Sequence, residues 1–312
     1  MQRVVRWLAG IVLATACAAN GAAAWAATLP AAPPIAESFD VGTLHVDRYG
    51  SGPQALILLP GLTSGPWEWY GTIAHEMRTY TVYAISLPGF DGRPATTKLP
   101  LVTTVIGDLG TLIDQRQIVK PVLVGHSLGG TLALVAGETY PARLKAIVAV
   151  DGLPVFPTLA TVPAEQRAAI AAQSAAPYAA LTHDAFLAGS KQFMATIGTA
   201  DPTLVDPSAA LLATSDPAAS GEWIKEILGS DYRPGLVNIT VPVIEIMPYY
   251  APDHDHPPLQ YTQDQSQSFY ESLLGGTPNL AVVPVSGARH FVMLDQPAAF
   301  NGALDRALHA VP

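Results

Sequence analysis

Cysteine is nearly absent. Cys17 is the only one in 312 residues, which excludes an internal disulfide framework and a cysteine-based zinc site. Charge is also scarce. Charged residues make up 13% of the chain, against about 25% in an average globular protein. Basic residues are the scarcer sign, 16 Lys and Arg against 25 Asp and Glu. A net charge of −9 without clustered Lys or Arg leaves no electrostatic footprint for nucleic acid. No internal repeat or heptad run is visible, so solenoids and coiled coils are excluded. What is present is Ala, 26 Gly, 28 Pro and an apolar content of 49%. High apolar content with low charge is the opposite of a disordered composition. The length suits one large domain or two small ones.

The first residues read as a targeting segment. Arg3 and Arg6 form a basic region before an apolar stretch, Trp7 to Ala16, that is too short for a stable membrane span. Ala24-Trp25-Ala26 supplies the small-x-small pattern of a signal-peptidase site. Residues 1–26 are therefore expected to be a signal peptide and 27–37 a linker, with the mature protein periplasmic or secreted. Two alternatives stand beside this reading. One is an uncleaved N-terminal anchor. The other is a lipoprotein anchored through Cys17, because Ala14-Thr15-Ala16-Cys17 weakly resembles a lipoprotein box.

Six apolar runs read as buried strands: 54–59, 81–86, 122–124, 146–150, 241–247 and 280–285. Helical patterns alternate with them at about 67–77, 102–116, 128–140, 264–274 and 297–309. Strand–helix alternation predicts an α/β fold, a mostly parallel sheet with helices on both faces. Ligands on such sheets bind at the carboxyl ends of the strands. The rhythm breaks after residue 152. Residues 153–239 carry helical patterns near 163–176, 184–197 and 218–228 but no strong strand, too long for a loop. This interval is expected to be an inserted helical lid, with 38–152 and 240–312 forming the core.

Gly125-His126-Ser127-Leu128-Gly129-Gly130 follows an apolar strand and opens a helical pattern. That is G-x-S-x-G in the context its mechanics require, a tight strand-to-helix turn presenting Ser127 as nucleophile. A serine hydroxyl needs a base oriented by a third group. His290, on a short loop after the last strand, is the natural base. Asp253 is the first choice for the acid. Asp255, in the same Asp253-His254-Asp255-His256 loop, and Asp151, at the end of the fourth run, remain open. That loop could suggest a metal site, but its alternating residues cannot easily converge, so it is read as a polar loop. The oxyanion hole is expected from the N–H groups of Leu128 and of Leu62, the latter in the loop after the first run. Trp67, Tyr249, Tyr250, Phe291 and Met293 are candidates for an apolar substrate pocket.

On these motifs, with Pro60-Gly61-Leu62, Leu87-Pro88-Gly89-Phe90 and Gly287-Ala288-Arg289-His290-Phe291, the chain resembles a lidded α/β-hydrolase over residues 38 to 310. The resemblance implies the α/β-hydrolase fold, an eight-stranded mostly parallel sheet with an inserted helical lid, and a Ser-Asp-His triad acting without cofactor or metal. It also departs from the family pattern. Pro60-Gly61 stands where His-Gly is usual, and Asp253 lies further beyond Pro242 than the family acid usually does. The function expected is a serine hydrolase acting on a small apolar carboxylic ester, with no nucleic-acid partner, no stable membrane span and an open oligomeric state. The alternatives are the same triad acting on an amide, lactone, thioester or carbon–carbon bond, and a non-catalytic ligand-binding protein.

Overall fold

The structure is a computed structural model that describes residues 28–255 and 260–310. The expected signal peptide, Cys17 and His256 lie outside the described residues. Eight strands form one sheet: β1 (Glu37–Val41), β2 (Leu44–Tyr49), β3 (Gln54–Leu59), β4 (Tyr80–Ser86), β5 (Val122–His126), β6 (Ala146–Val150), β7 (Val243–Tyr249) and β8 (Leu280–Ser286). Their order is β1-β2-β4-β3-β5-β6-β7-β8. β2 pairs antiparallel with β1 and β4, and all other pairs are parallel. The two strands not read from the sequence, β1 and β2, are this antiparallel edge.

The central strands are apolar throughout because both of their faces are covered. Along β3 the residues alternate: Ile57 and Leu59 join one core cluster, Leu56 and Leu58 the other. The first cluster is completed by α2 (Leu101–Gln115) and α3 (Leu128–Thr139). The second is completed by α1 (Tyr70–Glu76) and by α10 (Pro297–Ala310).

Between β6 and β7 the chain forms α4 (Ala164–Ala175), α5 (His183–Phe193), α6 (Val205–Leu212) and α7 (Pro217–Gly229), with no strand. After β7 come α8 (Gln263–Leu274) and, beyond β8, the short α9 (Val292–Asp295). The inserted helices are tied to the loops at the carboxyl ends of the strands. The Ser215 hydroxyl donates to Thr63 O (2.8 Å) and accepts from Asp91 N (3.2 Å). The Trp223 indole donates to Pro88 O (3.2 Å). Glu226 accepts from the Leu101 and Val102 N–H groups at 2.6 and 2.9 Å, satisfying donors at the start of α2 that have no intrahelical partner. Among the described residues, no helix is long and apolar enough to cross a membrane.

Candidate active site

Four turns at the carboxyl ends of β3, β4, β5 and β6 each hold a non-glycine residue at positive φ: Thr63 (60°), Asp91 (52°), Ser127 (52°) and Asp151 (49°). Such residues are uncommon, and they persist where the surrounding structure fixes them. Ser127 sits between β5 and the first residue of α3 with φ 52° and ψ −116°. Its N–H donates to Val150 O at 2.9 Å. The turn closes because its flanking glycines have no side chain. A Cβ on Gly125 would lie 2.1 Å from Gly129 O, and one on Gly129 would lie 2.1 Å from Leu59 O.

Asp151, directly after β6, receives the imidazole. His290 Nδ1 lies 2.5 Å from Asp151 Oδ2, and the Tyr270 hydroxyl from α8 donates to Asp151 Oδ1. A carboxylate only accepts, so Nδ1 carries the hydrogen, and whenever the ring is neutral Nε2 keeps its lone pair. Burial alone would raise the Asp151 carboxyl, but the His290 charge, its hydrogen bond and the Tyr270 hydroxyl together hold it below the ordinary carboxylate value. Burial, with the Asp151 charge, pushes Tyr270 well above its ordinary value, so it remains a donor. Glu245 on β7 is fully buried and accepts from Gly152 N at 3.2 Å. Burial and the neighbouring Asp151 charge push it well above the usual carboxylate range.

Asp253, the first choice for the acid, meets a different partner. Arg289, next to His290 in the chain, takes both of its oxygens, Nε at 2.8 Å from Oδ2 and Nη2 at 2.7 Å from Oδ1. The same guanidinium donates to Ala195 O (2.9 Å) and Thr199 O (3.1 Å) and lies 4.9 Å from the Tyr250 ring centroid. Asp253 is thus paired with a guanidinium that ties the imidazole loop to the inserted helices. Asp255 is exposed.

The loop after β3 approaches the elbow closely. A Cβ on Gly61 would lie 3.5 Å from Ser127 Cβ and 2.9 Å from His126 Nδ1. Gly61 N–H is held by Glu68 Oε1 at 3.1 Å, and Ser64 N–H by Gly61 O at 3.1 Å. Leu62 lies between these two anchored donors. Leu128 opens α3, so its N–H has no intrahelical partner.

The five pocket candidates fall into two groups. Trp67, Phe291 and Met293 are core residues, 4%, 1% and 4% exposed, and Trp67 stacks on Phe291 at 5.8 Å. Their apolar surface packs in the second core cluster. Tyr249 stacks on His254 at 5.0 Å and donates to Tyr261 O at 2.9 Å, while Tyr250 lies beside Arg289. The aromatic side chain that the insert does bring to the site is Phe193, at the end of α5, edge-on to His290 at 5.9 Å. The turn after it is pinned to the imidazole loop, with His290 N donating to Ile197 O (3.2 Å) and Phe291 N to Gly198 O (2.8 Å). Among the described residues, His75, Glu76 and Asp305 bring possible metal-donor atoms within 4.8 Å of one another, between α1 and α10 and apart from these groups.

A family model described as "Alpha/beta hydrolase family" matches residues 56–303. The chain belongs to the alpha/beta hydrolase family. It is 31% identical over 117 residues to a pimeloyl-[acyl-carrier protein] methyl ester esterase of Aeromonas hydrophila subsp. hydrophila, covering 36% of this chain and 43% of that protein. Over 128 residues it is 34% identical to an epoxide hydrolase of Caballeronia sordidicola, covering 36% of each. The chain thus spans less than half the length of these curated relatives. Among solved structures it is similar to a thermophilic esterase from Thermogutta terrifontis, with TM-score 0.68, 17% identity and coverage of 88% of this chain and 99% of that one. It is also similar to the enol-lactonase from Burkholderia xenovorans LB400, with TM-score 0.64, 17% identity and coverage of 88% and 100%. These two likenesses concern the fold.

Proposed function

We propose that this alpha/beta hydrolase is a serine hydrolase of carboxylic esters whose triad is Ser127, His290 and Asp151. The observation that carries the reading is the 2.5 Å contact of His290 Nδ1 with Asp151, on the turn adjoining the strained Ser127 elbow. Asp151 fixes the tautomer with Nε2 as base and stabilises the imidazolium that forms when Nε2 takes the serine proton. Ser127 Oγ attacks the ester carbonyl. The Leu62 and Leu128 N–H groups then donate to the oxyanion. The imidazolium returns its proton to the leaving alcohol, and water activated by Nε2 releases the acid. The esterases among the similar proteins support ester as the bond cut. Their partial coverage leaves the acyl and alcohol groups to experiment. Export through residues 1–26 belongs to the same proposal and is checked by N-terminal sequencing of the secreted chain.

The test is hydrolysis of 4-nitrophenyl esters from acetyl to long acyl by the wild type and by Ser127→Ala. The expected result is activity peaking at one chain length and falling by about 10⁴-fold or more in the variant. Equal activity in the two proteins overturns the proposal.

A further inference from the structure

Behind the proposed triad lies a second carboxylate–imidazole pair. Glu68 and His126 are 1% and 0% exposed, and Glu68 Oε2 lies 3.1 Å from His126 Nδ1. Each partner reaches a different part of the site. Glu68 Oε1 accepts from Gly61 N–H at 3.1 Å, in the loop that presents Leu62. His126 Nε2 meets the backbone carbonyl of His290 at 3.1 Å. His126 is also the residue before Ser127. One buried chain of hydrogen bonds therefore runs from Gly61 through Glu68 and His126 to His290, touching the oxyanion loop, the elbow and the base loop in turn.

The donor logic restricts the pair. A carbonyl oxygen only accepts, so His126 Nε2 carries a hydrogen. Nδ1 then either donates to a Glu68 carboxylate or accepts from a Glu68 carboxyl. In both cases the pair holds one shared proton and is neutral overall, which makes its burial tolerable. Packing fixes the rings as well. His126 lies 4.5 Å from the His290 ring centroid, 4.8 Å from Phe291 and edge-on to Trp69 at 6.3 Å.

We propose that Glu68 and His126 are positioning residues that hold the oxyanion donor of Leu62 and the base His290 in register with Ser127. The inference rests on the serine-hydrolase reading above. An apolar core of the same volume would satisfy packing at Glu68 without the chain of hydrogen bonds, so the role is separable from filling space.

The experiment compares Glu68→Met, Glu68→Gln and His126→Phe with wild type. It measures kcat, KM and the rate of fluorophosphonate labelling of Ser127, each well below the variant's melting temperature. Gln keeps an acceptor for Gly61 and offers Nδ1 a donor, so it is expected to retain kcat within about fivefold. Met and Phe keep bulk but break the chain. A misplacement of this kind costs about 10²-fold, so kcat and labelling are expected to fall together by that factor with KM within about threefold. If Glu68→Met does not fold, His126→Phe against Glu68→Gln decides. Folded Met or Phe variants within about threefold of wild type overturn the inference, as does Gln being as damaging as Met. A wild type that neither hydrolyses esters nor takes label overturns the serine-hydrolase reading and this inference with it.

Discussion

In the proposed triad the acid that orients the imidazole must keep its charge while partly removed from water, and the surroundings of Asp151 provide for this. Its carboxyl is held low by His290 and Tyr270. Such a group contributes stability that is present above its unfolded value and lost as pH falls through its folded value. Tyr270→Phe removes one of the two donors and lets the carboxyl rise. Its kcat is expected to fall about tenfold, the worth of one hydrogen bond to a charged group, with activity lost from a higher pH on the acid side. A pH–rate profile checks this. Glu76 is the opposite case. It is 3% exposed, and burial followed by the nearby Asp305 charge pushes it up to about 7 from 4.5. The folded state holds its proton more tightly than the unfolded one. Stability from this group is therefore complete below about pH 4.5 and is lost as pH rises through about 7. Glu76→Gln is expected to remove that decline, so its melting temperature gains on wild type at pH 8 and not at pH 4.

Among the elements, the elbow and the insert make separate demands. Gly125→Ala places a methyl against Gly129 O and is expected to abolish soluble folded protein, read by circular dichroism and yield. Glu226→Ala leaves two N–H groups at the start of α2 without their carboxylate and is expected to cost about 1–2 kcal/mol by denaturant titration. Most of the sheet was legible in the sequence because β3 to β8 are largely apolar runs bounded by Pro or Gly. β1 and β2 were not, since an antiparallel edge with one wet face mixes Glu37, Asp40, Asp47 and Arg48 with its apolar residues. Helix α6 was missed because Asp206-Pro207 reads as a break, whereas proline is tolerated in the first turn of a helix. Ser127 and His290 stood out through local motifs. The imidazole's partner did not, because three carboxylates follow strand ends and spacing alone does not show that Arg289 pairs with Asp253. The contact between Glu68 and His126 joins positions 58 residues apart and leaves no local signature.

At the scale of the whole molecule, the site is where three parts of the chain meet: the carboxyl edge of the sheet, the inserted helices and the loop after β8. Arg289 and the backbone bonds from His290 and Phe291 to Ile197 and Gly198 tie the last two together, so the proposed base, His290, is held by the sheet through Asp151 and by the insert through its own backbone. This division of labour is the central claim, and one comparison tests it most directly: ester hydrolysis by Asp151→Asn and Asp253→Asn beside wild type. The account predicts a loss of about 10³- to 10⁴-fold in kcat for Asp151→Asn, the scale expected when the orienting acid of a triad is neutralised, and a change within about tenfold for Asp253→Asn. Loss on that scale in Asp253→Asn, with Asp151→Asn near wild type, would contradict it.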